Sequence, residues 1–551
     1  MSDKEVEVVV GTAGSGKTRM LVEELTSIKR RHNFAAEQIA MITFTRMGRL
    51  EFATRLAAEW GCTVETLTRG DGNIRTAHSI AMRQCGIEHD DVLGDGKPAE
   101  RWIEENVGSS SATAIALWDV ARNRGCSLRD AHRRELWLTG DAPDYLLARK
   151  AIERYERAKR LHNKHDYHDL LGKFAGIAFD IDEGHRRVTA AGLPPEIGVL
   201  AVDEAQDSSP LVDLACRRLS EANTVKRVIL CGDPFQAVHA FAGGDYRLFL
   251  GWTENRRTMP RSWRCPPAIY EYGERCLRRM KDGYFDRGVA AAEHDGDVRV
   301  ARDIDSALRQ SVGESRLLLA RCQYTVAQYA ETLDGLQHPY AYVDRIGADK
   351  SHAAFECLWR LQNGRPVRGD ALRAAIDKLA AKAKDIKFLD HGAKKSWRDD
   401  GGYGDLTAAD VIAPTDEYLR RAGCTDSLIQ VIRDGRWPWV VVKEARERAR
   451  RWVSVANRHG AEEASKPSTR LSTIHGAKGA EADTVIVSAR STRTIARGMT
   501  LDDEIHDEEC RVAYVAATRA KCRLIIVEDY DSPAHMPFPS RSSLHESAKA
   551  V

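Results

Sequence analysis

The sequence lacks the features that mark membrane-spanning, secreted and zinc-binding proteins. No run of about 18 apolar residues occurs, so no transmembrane helix is predicted. The N-terminal stretch MSDKEVEVVVG has no basic region followed by a long apolar segment, so no secretory signal is predicted. The twelve cysteines include no C-x-x-C pair, which argues against a zinc site and a disulfide framework. We therefore expect a cytoplasmic protein with reduced thiols and no membrane partner.

The sequence also lacks an excess of either charge. Its 83 basic and 81 acidic residues leave a net charge of only +2, which gives no global indication of nucleic-acid binding. A local basic groove remains compatible with this balance, because binding depends on where the charges lie. At 551 residues the chain is too long for one hydrophobic core, so several domains are expected.

A glycine-rich segment near the N-terminus carries the first chemical signal. Residues 6–10 are predicted to form a buried strand, residues 11–18 fit G-x-x-x-x-G-K-[ST], and an amphipathic helix follows. Lys17 would neutralise the β- and γ-phosphates of a nucleotide, and the Thr18 hydroxyl would ligate Mg²⁺. The backbone that would wrap the phosphates is that of Gly11, Thr12, Ala13, Gly14, Ser15 and Gly16.

Two further apolar segments end in polar residues suited to phosphate chemistry. The strand predicted at 197–202 is followed by Asp203 and Glu204, which we assign to Mg²⁺ and to the general base that activates water. A third predicted strand ends at Asp233. Gln236 follows it and is a candidate to orient water or sense the γ-phosphate, although an ordinary loop glutamine is the alternative.

Arg519, in the stretch YVAATRAK, precedes an apolar run that is predicted to be a buried strand. An arginine at the edge of a core often extends its head group to water or pairs with a carboxylate. The segment alone leaves that interpretation open.

In order, nine segments resemble the conserved motifs of the UvrD/Rep/PcrA-type superfamily 1 DNA helicases. They are GTAGSGKTR (11–19), ITFTRMGRLEFATRL (42–56), RTAHSIAMR (75–83), DYHDLL (166–171), VDEAQDSS (202–209), LCGDPFQAVHAFAGG (230–244), RSWRCPPAI (261–269), LSTIHGAKGAEADTVIV (471–487) and EECRVAYVAATRAKCRLIIV (508–527).

The resemblance implies an α/β fold of two RecA-like P-loop NTPase domains, with parallel sheets flanked by helices and a mainly helical insertion in each. In this family the two domains close on one ATP, and arginines from the second domain reach the γ-phosphate. It therefore implies that Arg519 and Arg264 are arginine fingers, because a planar guanidinium stabilises the charge spread over the γ-oxygens. ATP and Mg²⁺ are the implied cofactors.

The remaining site residues also follow from the resemblance. Trp263 stands where the family places an aromatic ring against adenine, and Arg19 and Glu481 match positions that touch the base and the ribose. Thr and His can bond phosphate oxygens and Phe can stack on bases, although either Phe could instead belong to a core. The implied contacts to single-stranded DNA are Thr43, Phe44, His78, Phe241, Thr473 and His475.

The chain departs from the family pattern at several positions. The glutamine-bearing segment that helps to select adenine is not found before the P-loop strand, which puts strict preference for ATP in doubt. Motif III has His239, Phe241 and Ala242 where Tyr and Trp-Arg are usual, so an arginine contact is lost. Arg46-Met47 replaces the common Asn-Lys of motif Ia, and Ala482 replaces an aromatic residue of motif V.

The motif order predicts four regions. The first RecA-like domain (1A) comprises 1–84 and 184–258, with a helical insertion (1B) at 85–183, and helices are predicted at 98–107 and 144–161. The second (2A) comprises 259–350 and 467–551. Residues 351–466 would form a reduced 2B-like insertion, in which we predict helices at 370–389 and 440–460 and a loop at 391–405. Its basic stretch could grip duplex DNA, or form a solvated helix face.

The leading functional hypothesis is an ATP-driven single-stranded DNA translocase that unwinds duplexes, with 3′-5′ polarity indicated by the HGAKGAEAD form of motif V. One alternative is a translocase that remodels protein–DNA complexes without processive unwinding. A less favoured one is a DNA-binding protein with a vestigial ATPase. The expected partners are single-stranded DNA, junctions of single- and double-stranded DNA, and replication or repair proteins. A monomer is expected, and RNA remains an alternative substrate.

Overall fold

The structure is a computed structural model that describes residues 4–139, 141–238, 243–343, 351–383, 386–528, 532 and 534–539, with Arg46, Met47 and Leu138 described by their backbone alone. The chain divides into two compact units. The first unit is 1–298 with 491–522 and 530–551, and the second is 299–490 with 523–529.

The first unit contains a six-stranded sheet whose neighbouring strands are all parallel. The three inner strands Ile39–Ile42, Val199–Val202 and Arg227–Gly232 are short, mainly apolar and almost fully buried, as expected for a parallel sheet covered on both faces, whereas the edge strand Arg256–Thr258 is exposed. Because the strands are parallel, their carboxyl ends share one edge, where ligands gather in such sheets. In spatial order the strands are Ile74–Arg75, Ile39–Ile42, Val199–Val202, Arg227–Gly232, Glu5–Val10 and Arg256–Thr258.

Helices cover both faces of this sheet and bury two apolar clusters against it. An antiparallel pair, Ile177–Asp180 and Gly184–Arg187, lies outside the sheet. The α-helices of the first unit are Lys17–His32, Arg46–Trp60, Val64–Thr68, Ala77–Gln84, Lys97–Asn106, Ala112–Arg124, Leu128–Thr139, Tyr145–Leu161, Tyr167–Ala175, Pro210–Ser220, Tyr246–Leu250, Pro267–Leu277, Arg493–Leu501 and Asp503–Ala517. The helices predicted at 98–107 and 144–161 are thus confirmed.

The segment DYHDLL lies within a buried cluster of charges among these helices. Asp166 caps the helix Tyr167–Ala175 and accepts hydrogen bonds from Arg122, Tyr155 and Lys159 at 2.7–3.1 Å. Although burial opposes ionisation, these two cations hold the pKa of Asp166 well below its usual range. The cluster fixes the start of this helix, so the segment has a structural role.

Another six-stranded sheet lies mostly in the second unit, and the pairings among its first four strands are parallel. Its strands, in spatial order, are Ala341–Tyr342, Thr469–Thr473, Arg316–Ala320, Ala482–Ser488, Ala520–Val527 and Asp297–Ala301. The helices Ile304–Arg309 and Gln323–Gly335 pack against it. Two such sheets flanked by helices confirm the predicted α/β class.

Residues 351–466 form their own apolar core, which includes the buried side chains of Phe355, Trp397, Trp437 and Trp452. The α-helices here are Ser351–Gln362, Gly369–Lys378, Ala393–Asp399, Asp416–Arg421, Asp426–Arg433, Arg446–His459 and Ala461–Ser465. The strands are two-residue segments: Val367–Arg368, Lys382–Ala383, Ile386–Lys387, Gly402–Tyr403, Leu406–Thr407 and Val411–Ile412.

For this block, one helix prediction holds only for its first half, the loop prediction was wrong, and the other helix prediction is confirmed. The helix predicted at 370–389 ends at Lys378, because the next residues bond to another segment: Ala380 N–H donates to the Val440 carbonyl, and Val442 N–H to that of Lys378. The loop predicted at 391–405 contains the helix Ala393–Asp399, anchored by the buried Trp397. The helix predicted at 440–460 is present as Arg446–His459.

None of the helices in the described residues combines the length and apolar character that crossing a bilayer requires.

Candidate active site

The glycine-rich loop lies between strand Glu5–Val10 and helix Lys17–His32, as its motif predicts. Gly14 and Gly16 adopt positive φ angles of 70° and 85°, a region that disfavours residues with a Cβ atom. Lys17 Nζ donates to the Thr12 carbonyl at 3.0 Å, and no side chain caps the N-terminus of the helix. The uncapped N–H groups and the lysine make this loop suited to a phosphate.

The segment Ser262–Arg264 packs directly on this loop. Ser262 Oγ donates to the Ala13 carbonyl at 2.7 Å, and Trp263 N–H donates to the Gly14 carbonyl at 2.8 Å. Arg264 Nη1 lies 3.4 Å from the Thr518 carbonyl. The indole of Trp263 remains 67% exposed, so its ring is accessible to a ligand beside the phosphate loop.

Asp203 and Glu204 follow the buried strand Val199–Val202, at the same sheet edge as the loop. Burial, and then the Glu204 carboxylate, raise the pKa of Asp203 to about 7, and Lys17 opposes the rise. Asp203 Oδ1 is buried and has no hydrogen-bond partner among the described residues. A buried carboxylate oxygen without a partner fits a hard cation, so Asp203, with the half-buried Thr18, could hold Mg²⁺.

Arg519 is buried in the first unit, with 2% of its surface exposed. Its Nε donates to the Val515 carbonyl at 3.0 Å and its Nη2 donates to Gln236 Oε1 at 3.0 Å. Burial, and then the charge of Arg264, lower its pKa to about 10, so it remains a cation at neutral pH. The arginine therefore does not extend to water, and Gln236 is its partner.

Sequence reasoning missed the residues that hold Gln236 in place. Asp233 was seen only as the end of a strand, yet its carboxylate accepts from Gln236, Tyr514 and Arg287. Its position directly after the strand Arg227–Gly232 was a usable signal. Arg287 lies 54 residues further along the chain and had no local signal.

Arg19 and Glu481, the residues predicted to contact the base and the ribose, belong to different units. Arg19, on the first turn of its helix, forms an exposed ion pair with Glu23 at 2.7 Å. Glu481 belongs to the second unit, where its backbone carbonyl accepts from Arg470. Their roles toward a nucleotide stay predictions.

Three of the predicted DNA contacts lie in the first unit. Thr43 is buried directly after strand Ile39–Ile42, where its hydroxyl donates to the Thr45 carbonyl at 3.3 Å. Phe44 is half-buried and packs on the apolar cluster beneath the sheet, so it belongs in part to the core. His78 is half-buried with an edge contact of 5.4 Å to Tyr167, and burial lowers its pKa to about 4, which leaves it neutral.

The other predicted contacts fall in the second unit or beyond the described residues. Thr473 ends strand Thr469–Thr473, and its hydroxyl accepts from Gly476 N–H at 3.1 Å. His475 follows two residues later in the same loop and is half-buried. Phe241, like His239 and Ala242, lies outside the described residues.

Two family models match the chain. One, described as an AAA domain, covers residues 1–242, and the other, described as a UvrD-like helicase C-terminal domain, covers residues 427–529. The second match begins inside the block 351–466, which the motif order had assigned to a reduced 2B-like insertion.

Curated relatives match parts of the chain. It is 24% identical over 340 residues to the ATP-dependent DNA helicase UvrD1 of Mycobacterium tuberculosis, covering 54% of this chain and 42% of the relative. It is 25% identical over 345 residues to F-box DNA helicase 1 of Gallus gallus, covering 60% and 29%. It is 29% identical over 158 residues to the RecBCD enzyme subunit RecB of M. tuberculosis, covering 28% and 14%. The chain thus spans less than half the length of these relatives.

Proposed function

We propose that this chain, which belongs to the UvrD-type superfamily 1 helicases, uses ATP hydrolysis to move along single-stranded DNA and to separate duplex strands. One observation carries the proposal. Arg519 is buried beside the phosphate-binding side of the first unit and is hydrogen-bonded to Gln236, which follows a strand of the P-loop sheet. A polar link of this kind joins the nucleotide end of the sheet to the helix that precedes Arg519.

In the proposed reaction each group has one task. Lys17 binds the β- and γ-phosphates, and Glu204 takes a proton from the attacking water. Arg264 and Arg519 stabilise the negative charge that spreads over the γ-oxygens, because they are cations with a planar donor fork. Gln236 orients water or reports on the γ-phosphate. A bound Mg²⁺, held by Thr18 and Asp203, would neutralise phosphate charge.

Nucleotide recognition is proposed to involve Trp263 against the adenine ring, and Arg19 and Glu481 against the base and the ribose. Support comes from the exposed indole of Trp263, whose backbone N–H bonds the phosphate loop. An aromatic face stacks well on a purine, so the accessible ring suits this role.

For DNA we propose that Thr43, Phe44, His78, Phe241, Thr473 and His475 line the path of a single strand. Thr43 and Phe44 follow a strand, Thr473 ends one, and His78 lies in the first turn of a helix, positions from which side chains can contact phosphates. We keep the predicted division into 1A, 1B, 2A and 2B, the 3′-5′ polarity, a monomeric state, and replication or repair proteins as partners, as parts of the same proposal.

A translocase without processive unwinding shares every catalytic residue with this motor. A vestigial ATPase is disfavoured, because the unpartnered Asp203 oxygen and the buried Arg519 would be costly to keep in a protein that no longer binds a metal nucleotide.

The experiment is a strand-displacement assay on duplexes with 3′ or 5′ single-stranded tails, with DNA and RNA versions of each tail. We expect ATP-dependent displacement from the 3′-tailed DNA, and none with Lys17→Ala. Removal of streptavidin from a biotinylated single strand without duplex separation would favour the remodelling alternative. ATP-independent binding alone would contradict both.

A further inference from the structure

Asp233 is a fully buried carboxylate at the carboxyl end of strand Arg227–Gly232, and three side chains converge on it. Gln236 Nε2 and Tyr514 Oη donate to its Oδ2 at 2.8 and 3.0 Å. Arg287 Nη1 donates to its Oδ1 at 2.8 Å. With this set of partners the carboxylate has one orientation.

Arg287 is the only one of these three partners that carries a charge. Its side chain is wholly buried between Asp233 and Glu274, and its guanidinium lies 4.6 Å from the ring centre of Phe235 and 5.2 Å from that of Tyr514. A buried arginine must be paired to be tolerated, and the planar fork fixes the direction of each bond it makes. Arg287 therefore determines where the Asp233 carboxylate points.

From Asp233, hydrogen bonds lead in one direction to Arg519. Gln236 uses both ends of its amide: Nε2 donates to Asp233, and Oε1 accepts from Arg519 Nη2 at 3.0 Å. If the Asp233 carboxylate rotates, the Gln236 amide cannot keep its hydrogen bonds to both Asp233 and Arg519. The position of Arg519 thus depends on a carboxylate that it does not contact.

Hydrogen bonds lead in the other direction to Glu204. Asp233 N–H donates to Gln206 Oε1 at 3.0 Å, and Gln206 Nε2 donates to Glu204 Oε2. The strand end at Gly232 leaves no space for movement, because a Cβ atom there would lie 2.2 Å from Gln206 Oε1. These bonds start at the Asp233 backbone N–H, so they hold Glu204 at the same strand end whichever way the carboxylate points.

We propose that Arg287 is a positioning residue for ATP hydrolysis, acting on Arg519 through the Asp233 carboxylate and Gln236. The inference rests on the proposed function, because it concerns the same site. Arg287 lies in none of the motif segments. Its proposed role is to hold Arg519 in place without contacting the nucleotide.

The first test is Arg287→Lys, which keeps the charge and loses the fork. We expect kcat for DNA-stimulated ATP hydrolysis to fall about tenfold while KM for ATP changes less than about twofold, since misplacing a reacting group lowers rate more than binding. The matched control is Arg122→Lys, because Arg122 is equally buried among carboxylates of the helical insertion. The control is expected to lower thermal stability and to leave kcat unchanged.

A less disruptive variant keeps the inference testable if Arg287→Lys does not fold. Tyr514→Phe removes only the hydroxyl that bonds Asp233, and its matched control, Tyr155→Phe, removes a buried hydroxyl that bonds Asp166 at the same 3.0 Å. Tyr514→Phe is expected to lower kcat and Tyr155→Phe to leave it unchanged. Equal kcat values in both variants would overturn the inference.

A double-mutant cycle identifies the route. If Arg287 acts through Arg519, then Arg519→Ala combined with Arg287→Lys should be no slower than Arg519→Ala alone. Losses that multiply would show that Arg287 acts independently of Arg519, and would overturn the inference. A wild-type protein without DNA-stimulated hydrolysis contradicts the proposed function itself, whereas an active wild type with an unimpaired Arg287→Lys variant contradicts the inference alone.

Discussion

Replacing Gly14 by alanine tests whether the phosphate loop and the arginine segment depend on close backbone contact. Gly14 has a φ angle of 70°, and a Cβ atom there would lie 2.3 Å from the Cβ of Arg264. A separation this short is not tolerated, so the loop or the segment Ser262–Arg264 must move. The bond from Trp263 N–H to the Gly14 carbonyl, 2.8 Å long, would be strained by the same movement.

The expected cost has two parts. A left-handed conformation costs a residue with a Cβ atom about 1–2 kcal/mol, and forcing a methyl group into a packed contact adds about 1–3 kcal/mol. Gly61 is the matched control, since its φ angle is 67° and no atom lies within 4 Å of the position a Cβ would take. Gly61→Ala should therefore incur only the first cost.

The assays are chemical unfolding and ATP hydrolysis for both variants. We expect Gly14→Ala to lose at least about tenfold in hydrolysis, because Arg264 is displaced, and Gly61→Ala to keep wild-type hydrolysis. Wild-type hydrolysis by Gly14→Ala, or an equal loss in Gly61→Ala, would refute the reasoning.

Three further predictions concern single side chains. Lys17→Ala should abolish hydrolysis while the protein stays folded, since among the described residues the lysine side chain donates only to the Thr12 carbonyl of the loop; unchanged turnover would contradict its role. Asp203→Asn should lower Mg²⁺-dependent hydrolysis by about 100-fold or more without loss of thermal stability, because a neutral amide replaces a carboxylate whose ionisation burial opposes. Burial, and then the Arg122 charge, lower the pKa of His168 to about 3, so the folded chain resists a proton that the unfolded chain accepts below pH ~6.5. The stability that the neutral ring provides is complete above that pH and is lost as the pH falls. In urea unfolding, the free energy of unfolding of His168→Gln relative to that of the wild type should therefore rise by about 1.4 kcal/mol per pH unit below pH 6.5. The same difference in free energy at pH 7 and at pH 5 would contradict this.

The sequence predicted those parts of the site that are contiguous in the chain. Residues 11–18, with the strand before and the helix after, form a local pattern whose chemistry is fixed by spacing. Asp203 and Glu204 could also be predicted from the sequence, because a buried strand that ends in carboxylates is recognisable by itself. The two parallel sheets were expected from the family resemblance, and the structure contains them.

The partnerships between distant residues were not predictable from pattern. Arg519 and Gln236 are 283 positions apart, and Arg287 has no motif to mark it, so only the fold brings them to Asp233. For Phe44 the resemblance was incomplete: it predicted a DNA contact but did not show that the side chain also packs on an apolar core.

Residues 351–466 were the least predictable region. Their strands are two residues long, which is too short for any alternation of apolar and polar residues to appear. The predicted helix at 370–389 had suitable residues throughout, but pairing of Ala380 with Val440 ended it. Tertiary contacts overrode local propensity there.

The most direct test of the account is ATP hydrolysis by the purified protein with and without single-stranded DNA, for the wild type and for Arg519→Ala. Binding of a fluorescent ATP analogue, measured in parallel, separates loss of chemistry from loss of affinity. The account predicts strong stimulation by DNA that disappears in the variant while nucleotide binding is retained. Hydrolysis that is indifferent to DNA, or unaffected by the substitution, would contradict a DNA-coupled motor with its finger at Arg519.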